Sequence, residues 1–151
     1  MNLQTLLEQS RTNHYKTLVI VDNNKQQDRI INALKELDWA AFDVTDKVLE
    51  MIEGIPEGKV KLRIGDLLKK WFTNFPDKVI LYNTTILYSP NLGRLNPVGA
   101  FKYKSRTKET ILIMEGRVSG DRIQYSDYGK EDYSEMDVSE LIHIKMEDID
   151  A

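Results

Sequence analysis

The 151-residue sequence has no cysteine. That excludes a disulfide framework, a CxxC redox centre, a thiolate zinc site and a cysteine nucleophile, and it fits a reducing cytosol. Long apolar runs are also missing: Leu18–Val21 and Ile111–Met114 are four residues each, against the roughly 20 that a membrane helix needs. No basic-apolar leader opens the chain. The expectation is a cytoplasmic protein with no membrane partner. GxSxG and HExxH do not occur, and the two histidines, His14 and His143, are far apart without nearby ligand pairs. They read as structural or solvent-facing rather than catalytic or metal-binding. The acids at Glu131-Asp132, Glu135 and Asp137, and at Glu147-Asp148-Asp150, lack the spacing and turn glycine of a calcium loop, so they read as a solvated surface and no metal is expected.

What is present is an ordinary globular composition, 41% hydrophobic and 30% charged. A chain of this size buries about 70% of its unfolded surface and folds without a staple, so residues 1–151 are expected to form a single domain. Charge is uneven. Met1–Met114 carries 17 Lys/Arg and 13 Asp/Glu, a balance of +4, whereas Glu115–Ala151 carries 4 and 11, a balance of −7. Such a split suits a basic nucleic-acid surface beside an acidic tail, and equally a scatter of solubilising residues.

Leu3, Leu6 and Leu7 recur at helical spacing before Ser10. Thr17–Val21 is a β-branched run of the kind covered on both faces in a parallel sheet, and polar Asp22-Asn23-Asn24 ends it. Ile30, Ile31, Ala33, Leu34 and Leu37 then fit one face of a helix over Lys25–Leu37. A second strand is expected at Ala40–Val44, with Thr45 as the N-cap of a helix carrying Val48, Leu49, Met51 and Ile52, closed by Gly54 and Pro56. Leu67, Leu68, Trp71 and Phe72 mark a helix over Ile64–Phe75. Strands follow at Lys78–Tyr82, Thr110–Met114 and Leu141–Ile144. A polar, glycine-bearing stretch spans Asn83–Gly99, and Ser119-Gly120-Asp121 turns a hairpin within Arg117–Ser126. The alternation predicts an α/β three-layer sandwich: a mostly parallel five-stranded sheet, helices on both faces, and a small β-hairpin.

The loop after the first strand is where a phosphate cradle would sit. The GxxxxGK[ST] pattern needs glycines for close backbone approach, a lysine for the terminal phosphates and a hydroxyl for magnesium. Here Asp22 is followed by Asn23, Asn24, Lys25, Gln26, Gln27, Asp28 and Arg29. In that frame Asp28 stands at the lysine position and Arg29 at the hydroxyl position. The third strand runs into Tyr82-Asn83-Thr84-Thr85, without the acid that would orient magnesium.

The element order, together with VILYNTTILYSPNL over 79–92, Lys104-Ser105-Arg106-Thr107 and the segment from Glu115-Gly116-Arg117 to Tyr133, resembles BrxF, the family of small P-loop ATPase-like proteins of type 3 bacteriophage-exclusion (BREX) systems. The similarity covers about residues 14–140. Tyr82-Asn83 and Ser89-Pro90 echo the family's Asp-Asn pair and its Asp-Pro phrase. Glu115-Gly116, Tyr125 and Gly129–Tyr133 echo its Asn-Gly, hairpin tyrosine and Gly-x-x-x-Tyr phrase. The resemblance implies a P-loop NTPase (ASCE)-like core with strand order 5-1-4-3-2, antiviral defence, and other defence-system proteins as partners, with a homo-oligomer open. The departures at Asp22–Arg29 and Tyr82 imply a pseudo-ATPase, a binding or scaffold subunit with no cofactor and no catalytic residue. An active or regulatory ATP-binding enzyme with an unconventional phosphate loop, using Lys25 and Arg29, is the alternative.

Phe101-Lys102-Tyr103-Lys104-Ser105-Arg106-Thr107-Lys108 interleaves aromatics with cations, a composition that suits phosphate contact and base stacking. Lys102, Lys104, Arg106 and Lys108 are therefore candidates for duplex DNA in an adaptor role. The competing reading is a solvated loop or helix end with Phe101 and Tyr103 in the core.

Overall fold

The computed structural model describes residues 1–150. Five parallel strands form the central sheet: β1 (Thr17–Val21), β2 (Ala40–Asp43), β3 (Lys78–Tyr82), β4 (Glu109–Met114) and, after three further strands, β8 (Ile142–Lys145). Their spatial order is β2-β3-β4-β1-β8, and every neighbouring pair is parallel. β4 thus lies between β1 and β3, the order expected from the resemblance.

The apolar runs form central strands because both faces are covered. Leu18 and Ile20 of β1, Ile80 of β3, and Ile111 and Ile113 of β4 point into one apolar layer, filled by Leu6, Leu7, Ile30 and Leu34 of α1 (Leu3–Arg11) and α2 (Gln27–Leu34). Val19, Val21, Val79, Leu81, Leu112 and Met114 point the other way, against α3 (Val44–Ile52), α4 (Val60–Thr73) and α5 (Pro97–Phe101). Alternation along a strand sends successive side chains to opposite layers.

Several boundaries move. α2 is shorter than the apolar spacing predicts, and Leu37 is 52% exposed beyond its end. α4 begins at Val60 rather than Ile64 and buries Val60, Ile64, Leu68 and Phe72. The cap of α3 is Asp43, not Thr45: the Asp43 carboxylate accepts the Asp46 amide at 3.0 Å, and Thr45 Oγ1 instead donates to the Asn83 carbonyl at 2.6 Å. A carboxylate at an N-cap adds charge to the hydrogen bond, which favours it over a hydroxyl.

The expected hairpin is two strands of a three-stranded antiparallel sheet, β5 (Arg117–Ser119), β6 (Arg122–Tyr125) and β7 (Ser134–Asp137). Gly120, at φ +59°, makes its tight turn. Gly116 precedes it, where a Cβ would stand 2.5 Å from Ile123 Cγ2 and 3.1 Å from the Gln124 carbonyl oxygen; only glycine allows β6 to approach this closely. The stretch 83–99 is less polar than it looks, because tight turns fold Leu87, Tyr88 and Leu92, and the start of α5 folds Val98, into the core.

Candidate functional site: the crevice at the carboxyl ends of β1, β3 and β4

In open parallel sheets ligands bind beyond the carboxyl ends of the strands. Here that place is a crevice of about 50 Å3 lined by Asp22, Lys25, Gln27, Asn83, Thr84 and Glu115, among others. Asp22 is buried at its base, and its amide donates to the Met114 carbonyl at 2.8 Å, so β1 and β4 position it together. Its carboxylate accepts the amide of Asn24 at 3.2 Å through Oδ1 and the amide of Gln26 at 2.8 Å through Oδ2. Backbone N–H groups of this loop, the donors that cradle a phosphate in a glycine-rich loop, thus turn to a side chain of the same loop.

Asn23, Gln27 and Arg29 of the same loop are also engaged. Asn23 clasps Gly116 in both directions, Nδ2 donating to the Gly116 carbonyl at 2.8 Å and Oδ1 accepting its amide at 2.9 Å. Lys25 has a left-handed backbone, φ +54°, and an exposed side chain. Arg29 points away from the crevice, donating to Gln26 Oε1 at 3.2 Å and to the carbonyls of Met146 and Ile149 at 3.4 and 3.0 Å. Asp28 is exposed in the first turn of α2.

Asn83, also left-handed at φ +53°, organises the far wall. Its Nδ2 donates to Asp43 Oδ2 at 2.7 Å, its Oδ1 accepts from Gln27 Nε2 at 3.4 Å, and its carbonyl takes the Thr45 hydroxyl. Thr84 Oγ1 is spent on the Ile113 carbonyl at 2.9 Å. Burial first, then the charges of Asp43, Asp46 and Asp28, hold the Tyr82 phenol above its ordinary range. With Asp22 and Glu115 nearby, this end of the sheet is acidic. It holds hydrogen-bonding groups but no paired acid and base around a nucleophile, and among the described residues no group of His, Asp or Glu is placed to hold a metal.

The basic segment splits between inside and outside. Phe101 is fully buried, but Tyr103 is 64% exposed, against its expected place in the core. Lys108 Nζ donates to the carbonyls of Phe72, Thr73 and Phe75 at 2.9, 3.0 and 2.7 Å, closing the C-terminus of α4, where a cation is favoured. Lys104 Nζ donates to the Ala100 carbonyl at 2.7 Å, and burial, aided by Lys69, lowers its pKa from the ordinary lysine range. Lys102 is buried, 3.5 Å from Glu140 and between the rings of Tyr15 and Tyr103. Arg106 lies over the Tyr15 ring with its residue exposed.

The roles of Asp22 and Asn83 escape motif reasoning, which asks only whether a glycine or lysine is present. Their trace in the sequence is local: Asp and Asn at strand ends accept backbone amides and tolerate left-handed geometry. No family model, curated protein or solved structure matches this chain. No helix among the described residues is long and apolar enough to cross a membrane.

Proposed function

We propose that this chain is a non-catalytic binding or scaffold subunit with a P-loop-NTPase-like core, acting in a bacterial anti-phage system of the BREX type. The observation that carries the non-catalytic reading is the Asp22 carboxylate, which accepts the Asn24 and Gln26 amides where a phosphate would need them. An incoming triphosphate must displace the Asp22 carboxylate from these amides and enter a crevice lined by Asp22 and Glu115 against one cation, Lys25. Coulomb repulsion and the lost internal hydrogen bonds both oppose it. The crevice volume of about 50 Å3 also falls well below the roughly 300 Å3 at the small end of ligand pockets. The order β8-β1-β4-β3-β2 supports the core assignment, and the resemblance to BrxF supports the defence context.

The test is calorimetric titration with ATP and magnesium, paired with a phosphate-release assay on wild type and on an Asp28→Ala, Arg29→Ala variant. Background release from both proteins and no binding heat are expected; release above background that the variant loses refutes the reading. In cells, deleting the gene should abolish phage protection, and Asp28→Ala, at an exposed position, should restore it as well as wild type does.

A further inference from the structure

β2 is an outer strand of the sheet, bonded to β3 on one side only. Outer strands normally carry proline, lysine or a bulge to discourage further pairing. Ala40-Ala41-Phe42-Asp43 has none of these, and Ala41 is exposed. Alongside runs a groove of about 290 Å3, with Phe42 and Trp71 as its apolar floor and Asp43, Asp46, Lys47 and Glu50 on its rim. The floor is rigid: Phe42 stacks on Phe75 at 4.9 Å between centroids, and Trp71 meets both rings edge-on. The rim carries three acids and one cation, Lys47, which lies 3.4 Å from the largely exposed Glu50, so its net charge is negative and Asp46 and Glu50 both face solvent.

We propose that this edge docks an extended segment of a partner protein, added as a further strand beside β2, with lysine or arginine side chains meeting Asp46 and Glu50 and one bulky apolar side chain seated on Phe42 and Trp71. Backbone pairing supplies affinity in this mode, and the flanking side chains supply selectivity. Charge decides the occupant. A second copy of this chain would bring the same acid-rimmed groove against itself, so like charges would meet, whereas a basic segment complements it. The proposal rests on the open edge and not on the state of the phosphate loop, so either can fail alone.

The test pans a random dodecapeptide display library against the whole folded chain, then titrates the selected peptide. Enriched peptides should be rich in lysine and arginine around one aromatic or branched residue. Binding should weaken about tenfold in Asp46→Lys/Glu50→Lys, weaken at high salt, and slow amide exchange at residues 40–43. Asp46 lies in the first turn of α3, so Asp46→Asn/Glu50→Gln, which leaves no new cation at the helix start, provides a second variant and should show a smaller loss in the same direction. Recovery of only neutral or acidic peptides, unchanged affinity in both variants, or protection elsewhere would overturn the proposal. Sedimentation as a dimer with residues 40–43 protected in the absence of peptide would overturn it in favour of self-pairing.

Discussion

Asp22, in the loop after β1, and Lys108, in the Phe101–Lys108 segment, carry opposite charges, and both satisfy them within the protein, but over different reaches of chain. Asp22 finds its donors two and four residues on, at Asn24 and Gln26. Lys108 finds its acceptors more than thirty residues back, at Phe72, Thr73 and Phe75. The first arrangement shapes a loop; the second fastens a helix end to the sheet. A group spent locally can be removed with local consequences, whereas a long-range tie is part of what holds the layers together.

The sharpest test of that contrast is Lys108→Met, which keeps much of the stem and deletes the donors. Hydrogen bonds to charged groups contribute about 1.5–3 kcal/mol, so urea unfolding should show a loss of about 2–3 kcal/mol, while Arg106→Ala, on the surface, should stay within about 0.5 kcal/mol. A comparable loss at both positions would erase the distinction. It also bears on DNA: Arg106→Ala should lower any salt-dependent duplex affinity without unfolding the chain, which a combined substitution of all four cations cannot separate.

Next in size is Asp22→Ala. Losing an N-cap-like acceptor costs about 0.5–2 kcal/mol, and amide exchange should quicken at Asn24 and Gln26 while β4 stays protected. Asp22→Asn, which keeps one acceptor oxygen, should fall between the two proteins. If the faster exchange spread into α4, the loop would not be the local unit described here.

Among the buried positions the smallest effect at neutral pH is expected for Tyr88→Phe, below about 1 kcal/mol, because the phenol's partner is the weak acceptor sulfur of Met136 at 3.7 Å. Burial, then Tyr125 and Glu115, raises the Tyr88 pKa. A phenol with a raised folded-state pKa contributes its full stability below its unfolded pKa of about 10 and loses it as pH climbs further. Wild type should therefore weaken more steeply than Tyr88→Phe above pH 10, as followed by urea midpoints. Parallel pH profiles would mean that the ring is accessible in the folded state.

The central strands were legible because burial on both faces writes an unbroken apolar run, as in Thr17–Val21 and Ile111–Met114. β7 was not, since Ser134-Glu135-Met136-Asp137 commits only Met136 to the core. The start of α3 was misplaced because Asp43 serves twice, as the last residue of β2 in register with Tyr82 and as the helix cap; the alternation of the strand reads straight through it. The missing glycines of the phosphate loop were plain, but not the use of Asp22 in their place, which depends on backbone amides converging after folding. For the basic segment, composition announced the cations without their direction. A lysine stem reaches inward or outward with equal ease, and only the carbonyls at the end of α4 decide it for Lys108.

The pairing of Thr17 with Thr110, and of the rest of β1 with β4, also sets a schedule for synthesis. β1 leaves the ribosome with both edges open, and neither lateral partner, β4 or β8, exists until most of the chain has been made. At about 5–20 residues per second, the wait for β4 lasts roughly 5–20 s. Throughout it, a bare Thr-Leu-Val-Ile-Val segment, rich in β-propensity and free of charge, is available to any similar segment nearby. Crowded translation of this protein should thus draw on holding chaperones early, well before the helix-covered layers can close.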